Sequence, residues 1–133
     1  MKILVVDDDY VSRTKVAALL KGYGVCDVAP DGEAALKLFE EAHKELAPYD
    51  VITMDIEMPG ISGQEAVNKI RETETALKLT EAMAAKIIMV TAKTGLKEVS
   101  SSYYQGCNGY LTKPITPATV AHALGEVGIK HQP

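Results

Sequence analysis

The sequence lacks a basic block. Its 14 Lys and Arg are scattered and outnumbered by 18 Asp and Glu, giving a formal charge of -4. With no dense stripe of cations to neutralise a phosphate backbone, direct DNA or RNA binding is disfavoured. Long apolar runs are missing too. The N-terminal run Ile3 to Val6 has four apolar residues before Asp7, whereas a secretory signal needs roughly 7 to 15. No run approaches the roughly 18 residues of a membrane span, so the expectation is a soluble, cytoplasmic chain with no membrane partner. Cysteine is scarce: Cys26 and Cys107 have no second thiol at ligand spacing, which argues against a disulfide framework or a redox pair. His43, His122 and His131 are dispersed, so zinc is not supported. Internal repeats, low-complexity tracts and Pro/Gly/Ser-rich linkers are absent as well. For 133 residues at 47% hydrophobic content, this leaves one domain spanning 1–133 as the expectation.

What is present is a repeated punctuation. Five apolar runs, Ile3 to Val6, Val25 to Ala29, Val51 to Met54, Ile87 to Val90 and Tyr110 to Thr112, alternate with segments of helical periodicity. Val16, Leu19, Leu20 and Tyr23 follow the i, i+3, i+4, i+7 pattern, as do Ala35, Leu38, Phe39 and Ala42, and again Val120, Ala123, Leu124 and Val127. Ser62 with Glu65 three residues on predicts the start of a helix from about Gly63 to Ala84, with Ala66, Val67, Ile70 and Leu77 on its inner side. A more polar stretch from about Leu96 to Gln105 is read as a further helix. Gly22 and Gly24 close the first helix, Asp31 can cap the second, and Thr116-Pro117 opens the last. The sum is a (βα)5 chain of the α/β class, with a doubly wound, five-stranded parallel sheet carrying helices on both faces.

Every run except the second ends on a residue able to handle a phosphate or a metal: Asp7 and Asp8, Asp55, Thr91, and Lys113. Parallel strands open their carboxyl ends on one edge, where α/β proteins build ligand crevices. In Asp7-Asp8-Asp9, one residue can simply cap the first helix while the others favour its positive end. Asp55 changes that balance. Two carboxylates at about 4 Å would repel by roughly 4 kcal/mol at an effective dielectric near 20, so a cation must sit between them or one must hold a proton. An all-oxygen site with several waters suits Mg²⁺. Ile56-Glu57-Met58-Pro59-Gly60-Ile61-Ser62-Gly63 reads as a turning loop able to fold over a metal. Thr91 can be a β-branched strand end, and Ala92 after it leaves little bulk over the mouth. Lys113 precedes Pro114, and such bonds are trans in all but about 5 to 6% of cases; a cis bond would turn the Lys inward, as a point charge for a phosphate oxygen.

Taken together, Ile3-Leu4-Val5-Val6-Asp7-Asp8-Asp9, Met54-Asp55-Ile56-Glu57-Met58-Pro59-Gly60 with Gly63, Met89-Val90-Thr91-Ala92 and Gly109-Tyr110-Leu111-Thr112-Lys113-Pro114-Ile115 resemble the receiver (CheY-like) domain of two-component response regulators. The resemblance covers nearly the whole chain. It implies the flavodoxin-like strand order 2-1-3-4-5, which spacing alone does not give. It implies that Asp55 is the phosphoacceptor, and that Asp7, Asp8, Asp55 and the backbone carbonyl of Glu57 hold Mg²⁺. Thr91 and Lys113 would contact the phosphoryl group, Thr91 and Tyr110 would form the switch, and Glu57 and Lys93 would flank the site and affect its hydrolysis. The implied function is Mg²⁺-dependent transfer from a kinase phosphohistidine to Asp55. A conformational change read by protein partners would follow, and then autodephosphorylation; the protein would be no enzyme toward other substrates. A sensor histidine kinase or phosphotransfer protein would be the donor. A downstream protein would bind the face formed by the fourth helix, from Leu96 to Gln105, the fifth strand and the fifth helix.

Two other classes compete. A Mg²⁺-dependent phosphatase of the haloacid-dehalogenase type would carry Asp-x-Asp at its nucleophile, where this chain has Asp55-Ile56-Glu57, and it would need a substrate-capping domain. A phosphorylation-independent adaptor would have lost an acidic residue, the Thr or the Lys, and none is lost here. The segment Gly63 to Lys86 is longer than in compact family members, as an added helical turn or a partner-specific surface. Ser100-Ser101-Ser102-Tyr103-Tyr104 is unusual for the fourth helix and reads as a weakly helical face.

Overall fold

Each apolar run forms a strand of one parallel sheet. The computed structural model describes residues 1–56, 58–91 and 105–129. Its elements are β1 (Lys2–Val6), α1 (Tyr10–Leu20), β2 (Val25–Ala29), α2 (Gly32–Lys44), β3 (Val51–Asp55), α3 (Gly63–Ala76), β4 (Lys86–Thr91), β5 (Gly109–Thr112) and α4 (Pro117–Glu126). All four strand pairings are parallel, in the order β2-β1-β3-β4-β5. The class and the strand order implied by the resemblance are both present. The helix expected from Leu96, with its Ser/Tyr run, lies outside the described residues apart from Gln105. Among the described residues no helix is long and apolar enough to cross a membrane.

Side chains alternate along a strand, and here both faces are covered, which is why the runs are almost continuously apolar. Leu4, Val6, Ile52, Met54, Ile87 and Met89 meet Phe39 of α2 and Val67 and Ile70 of α3 on one face. Ile3, Val5, Val51, Ile88, Val90 and Leu111 meet Val16 and Leu20 of α1 and Val120 and Leu124 of α4 on the other. The edge strand β2 is the exception, with Val25 71% exposed and Asp27 in its middle.

The caps at Asp31, Ser62 and Thr116 fall where the sequence places them, and of Asp7-Asp8-Asp9 it is Asp9 that caps α1. Asp9, Asp31, Ser62 and Thr116 each accept the backbone N–H three residues on, and Pro117 follows Thr116 in the first turn of α4. The helix expected from Gly63 to Ala84 stops early, at Ala76. Its end is a Schellman closure: Lys78 N–H donates to Thr75 O at 3.0 Å and Leu79 N–H to Glu74 O at 3.1 Å. Lys78 takes the left-handed conformation this requires, at φ 58°. Glycine normally marks that position, and its absence made the helix look continuous. Leu77, expected inside, is the C-cap and 48% exposed. The extension is therefore a turn-rich loop over 77–85 and not an added helical turn.

That loop is tied back by Arg71. Its Nη1 contacts Glu74 Oε1 at 2.6 Å and donates to Ala85 O at 2.9 Å; Nε donates to Gly106 O and Nη2 to Asn108 Oδ1, both at 2.8 Å. Glu74 is buried and also accepts the Ala85 N–H. The amino ends of β4 and β5 are thereby closed with matched donors and acceptors.

Thr53 breaks the pattern. It is 1% exposed, beside Val5 and Ile88 in the sheet, and its hydroxyl has no hydrogen-bond partner among the described residues. Burying an unpaired hydroxyl costs about 1 to 3 kcal/mol. Thr53→Val, of nearly the same shape, should therefore stabilise the protein by about 1 kcal/mol. Urea unfolding should show a higher midpoint with an unchanged slope; an equal or lower midpoint would mean that the hydroxyl is satisfied in solution.

Candidate functional site

The carboxyl ends of the central strands are stitched together just where the polar residues emerge. Asp7 N–H donates to Ala29 O at 3.1 Å, Ile56 N–H to Val90 O at 3.1 Å, and Lys113 N–H to Thr91 O at 2.9 Å. Val6 is in register with Met54, so Asp7 and Asp55 follow at equivalent positions on neighbouring strands. Asp7 and Asp55 are buried and Asp8 is exposed. One carboxylate oxygen from each of Asp7, Asp8 and Asp55 lies within 4.8 Å of the others.

The acidic triplet divides its labour. Asp9 turns away to cap α1, accepting the Ser12 N–H at 2.9 Å and the Ser12 hydroxyl at 2.8 Å. Those two bonds hold its carboxyl below the usual carboxylate range, with smaller help from the charges of Lys113 and Arg13. Asp7 Oδ1 accepts the Asp9 N–H at 2.9 Å, and Arg13 Nη1 donates to the Asp7 carbonyl at 2.9 Å. The loop carrying Asp7 and Asp8 is thus fixed from both sides. Unit charges 4.8 Å apart repel by roughly 3.5 kcal/mol at an effective dielectric of 20. A cluster of carboxylate oxygens suits a hard divalent cation of the Mg²⁺ or Ca²⁺ kind and matches no thiolate- or imidazole-preferring metal. The donor set therefore fits the Mg²⁺ expected from the sequence.

Thr91 closes β4, is 4% exposed and is in register with Thr112. Lys113 is half-buried at the next position, joined to Pro114 by a cis peptide bond. Its charge adds a small share to the lowering of the Asp9 carboxyl. Tyr110 is half-buried, in register with Met89, and packs on the core shared with α2 and α3. By strand alternation Thr91 shares that face, two residues beyond Met89. Of the residues singled out in the sequence, Asp7, Asp8, Asp55, Thr91 and Lys113 meet at one edge, with Tyr110 behind Thr91. Glu57, Ala92 and Lys93 lie outside the described residues.

Two supporting side chains carried no sequence signal of their own. Arg13 reads as an ordinary helical cation, and Glu33 as an acid favouring the start of α2. In the structure Arg13 secures Asp7, and Glu33 Oε1 accepts the Ile61 N–H at 3.0 Å.

The model of the response regulator receiver domain matches residues 3–125. Chemotaxis protein CheY-3 of Vibrio cholerae is 31% identical over 129 residues, which are 96% of this chain and 91% of that protein. Hybrid signal transduction histidine kinase I of Dictyostelium discoideum is 36% identical over 118 residues, 87% of this chain; the match spans only 6% of that kinase's length. Among solved structures, the receiver domain of Saccharomyces cerevisiae Ssk1, in complex with the histidine phosphotransfer protein Ypd1, aligns with a TM-score of 0.75 at 25% identity. That alignment covers 93% of this chain and 86% of the other.

Crowded carboxylates predict their own relief. At low ionic strength and without divalent metal, Asp8→Asn should raise the thermal midpoint by about 3 °C. Adding MgCl2 should raise the wild-type midpoint more than the variant's. Melting followed by circular dichroism checks both, and equal responses to MgCl2 would contradict a shared cation site.

Proposed function

The chain belongs to the response regulator receiver domain family, the signalling modules of two-component systems, and from that premise we propose that Asp55 is its phosphoacceptor, with residues 1–133 acting as one receiver domain. The observation that supports this most directly is the meeting of Asp7, Asp8 and Asp55 within 4.8 Å at the edge where Thr91 and Lys113 end their strands. An Asp55 carboxylate oxygen attacks the phosphorus of a phosphohistidine; the new P–O bond forms as the P–N bond breaks, and the leaving imidazole keeps the electron pair. Water later attacks the acyl phosphate, returning the carboxylate and inorganic phosphate.

In phosphoryl transfer the protein chiefly positions groups and neutralises charge on the equatorial oxygens. Asp7 and Asp8 would hold the cation together with Asp55, and the Glu57 carbonyl is the remaining protein ligand expected. Bound Mg²⁺ would supply charge neutralisation on the phosphoryl oxygens. Lys113 brings an ammonium to the same oxygens, and the Thr91 hydroxyl donates a hydrogen bond to them. A phosphorylated Asp55 carries new negative charge and acceptor oxygens that draw on Thr91 and Lys113. Tyr110, on the same face as Thr91, follows into the space that movement opens. A near-complete flip of that equilibrium needs about 5.5 kcal/mol of difference between the states.

The donor in this reading is a phosphohistidine on a sensor kinase or phosphotransfer protein. The likeness to a segment of a hybrid histidine kinase and to a receiver solved with a phosphotransfer protein supports it. The output is a protein contact with the face that includes β5 and α4.

Incubation with acetyl phosphate and MgCl2 should add one phosphate, read by intact-protein mass spectrometry, and Asp55→Asn should abolish it. Phosphate uptake by the Asn variant at the wild-type rate would remove Asp55 from the role. Turnover of an external phosphomonoester would favour a phosphatase instead.

A further inference from the structure

The loop that leaves Asp55 is fixed at both of its described ends, and one of the fixing groups has no part in the chemistry above. On the near side Ile56 N–H donates to Val90 O, and Gly63 N–H donates to Ile56 O at 3.3 Å. On the far side the holding group is Glu33, in the first turn of α2, whose Oε1 takes the Ile61 N–H at 3.0 Å. The contact is shaped as well as charged. Gly60 sits at φ 78°, and a Cβ on it would lie 2.7 Å from Glu33 Oε1. A Cβ on Gly32 would lie 2.5 Å from Ile61 Cγ1. Gly60 and Ile61 therefore rest directly on the first turn of α2, the backbone against the carboxylate and the Ile61 side chain over Gly32.

We propose that Glu33 is a positioning residue for the cation and phosphoryl site, holding Gly60 and Ile61 on the first turn of α2 and so limiting the freedom of the chain that follows Asp55. The proposal rests on the receiver reading of that site, in which this loop supplies the Glu57 carbonyl. A carboxylate accepting a backbone N–H makes a charge-assisted hydrogen bond, stronger than a neutral one. A loop held in place before binding loses less conformational freedom when its carbonyl becomes a ligand. An acid in the first turn of a helix is favourable through the helix dipole alone, but the dipole does not require it to reach across to Ile61. Removing a group that orients a metal ligand costs about 10 to 100-fold in metal affinity.

The test is calorimetric titration of MgCl2 into the wild type, Glu33→Ala and Glu33→Gln, with amide exchange at Ile61 followed by NMR. Glu33→Ala should bind Mg²⁺ about tenfold more weakly and exchange the Ile61 amide faster. Glu33→Gln keeps an acceptor oxygen but loses the charge assistance, and should fall between wild type and Glu33→Ala in both readouts. Wild-type affinity in Glu33→Ala would overturn the inference and leave the receiver reading intact. A loss in Glu33→Gln as large as in Glu33→Ala would overturn it too, since charge at a distance and not loop position would then be responsible. If the wild type itself took up no Mg²⁺, the reading of the site and the inference would fall together.

Discussion

The structure turns on a repulsion that its own sheet does not let relax. Asp7 and Asp55 follow directly from Val6 and Met54, which are paired in the parallel ladder. Neighbouring strands are held about 4.8 Å apart, so the two carboxylates start from backbones that cannot separate. Sliding β3 past β1 by one residue would exchange every side chain between the two buried faces. It would drive Ile52 and Met54 out of the core they share with α2 and α3. The apolar register thus enforces the acidic contact, which a bound cation would relieve at lower cost than a rearranged sheet.

The opposite end of the sheet shows what a buried charge looks like when the protein itself satisfies it. Glu74 is 6% exposed at its side chain and meets Arg71, which is 25% exposed. The remaining donors and acceptors of the pair go to Ala85, Gly106 and Asn108. Desolvating an ion pair is costly unless such further bonds are made, and here they are. At the carboxyl edge Arg13 gives its bond to the Asp7 carbonyl and not to a carboxylate. One end of the sheet is closed by complementary groups, while the other gathers the carboxylates of Asp7, Asp8 and Asp55, with Asp8 exposed.

Much of this was legible because strand ends and caps are local signals. The five runs, the caps at Asp31, Ser62 and Thr116, a cap somewhere in Asp7-Asp8-Asp9, and the gathering of Asp7, Asp8, Asp55, Thr91 and Lys113 at one edge follow from apolar periodicity, local capping signals and parallel pairing. The strand order followed from the family resemblance, because spacing does not choose among the parallel arrangements. The end of α3 was misread because Lys78 occupies a position where glycine is the usual sign, and Leu46 after α2 does the same at φ 60°. Thr53 gave no warning either: a threonine in a strand looks ordinary until both its neighbours prove buried. Arg71 was invisible for another reason, since its partners other than Glu74 lie far away in sequence at Ala85, Gly106 and Asn108.

The hardest residues to read were those whose local role is sufficient by itself. Asp31, Gly32 and Glu33 make a good helix start: a capping acid, a small residue and an acid favouring the dipole. Each fits without any tertiary context, so nothing in the local pattern is left over to explain. In the fold the same turn also carries the loop after Asp55, with Gly32 admitting the Ile61 side chain and Glu33 taking its N–H. The same doubling occurs at Asp7-Asp8-Asp9, where Asp9 caps α1 and donates its N–H to Asp7 Oδ1. In both places a helix terminus doubles as a support for the acidic edge. Because such a terminus is rigid and close to the strand ends, the loops can be short and the carboxylates can stay near one another despite their mutual repulsion.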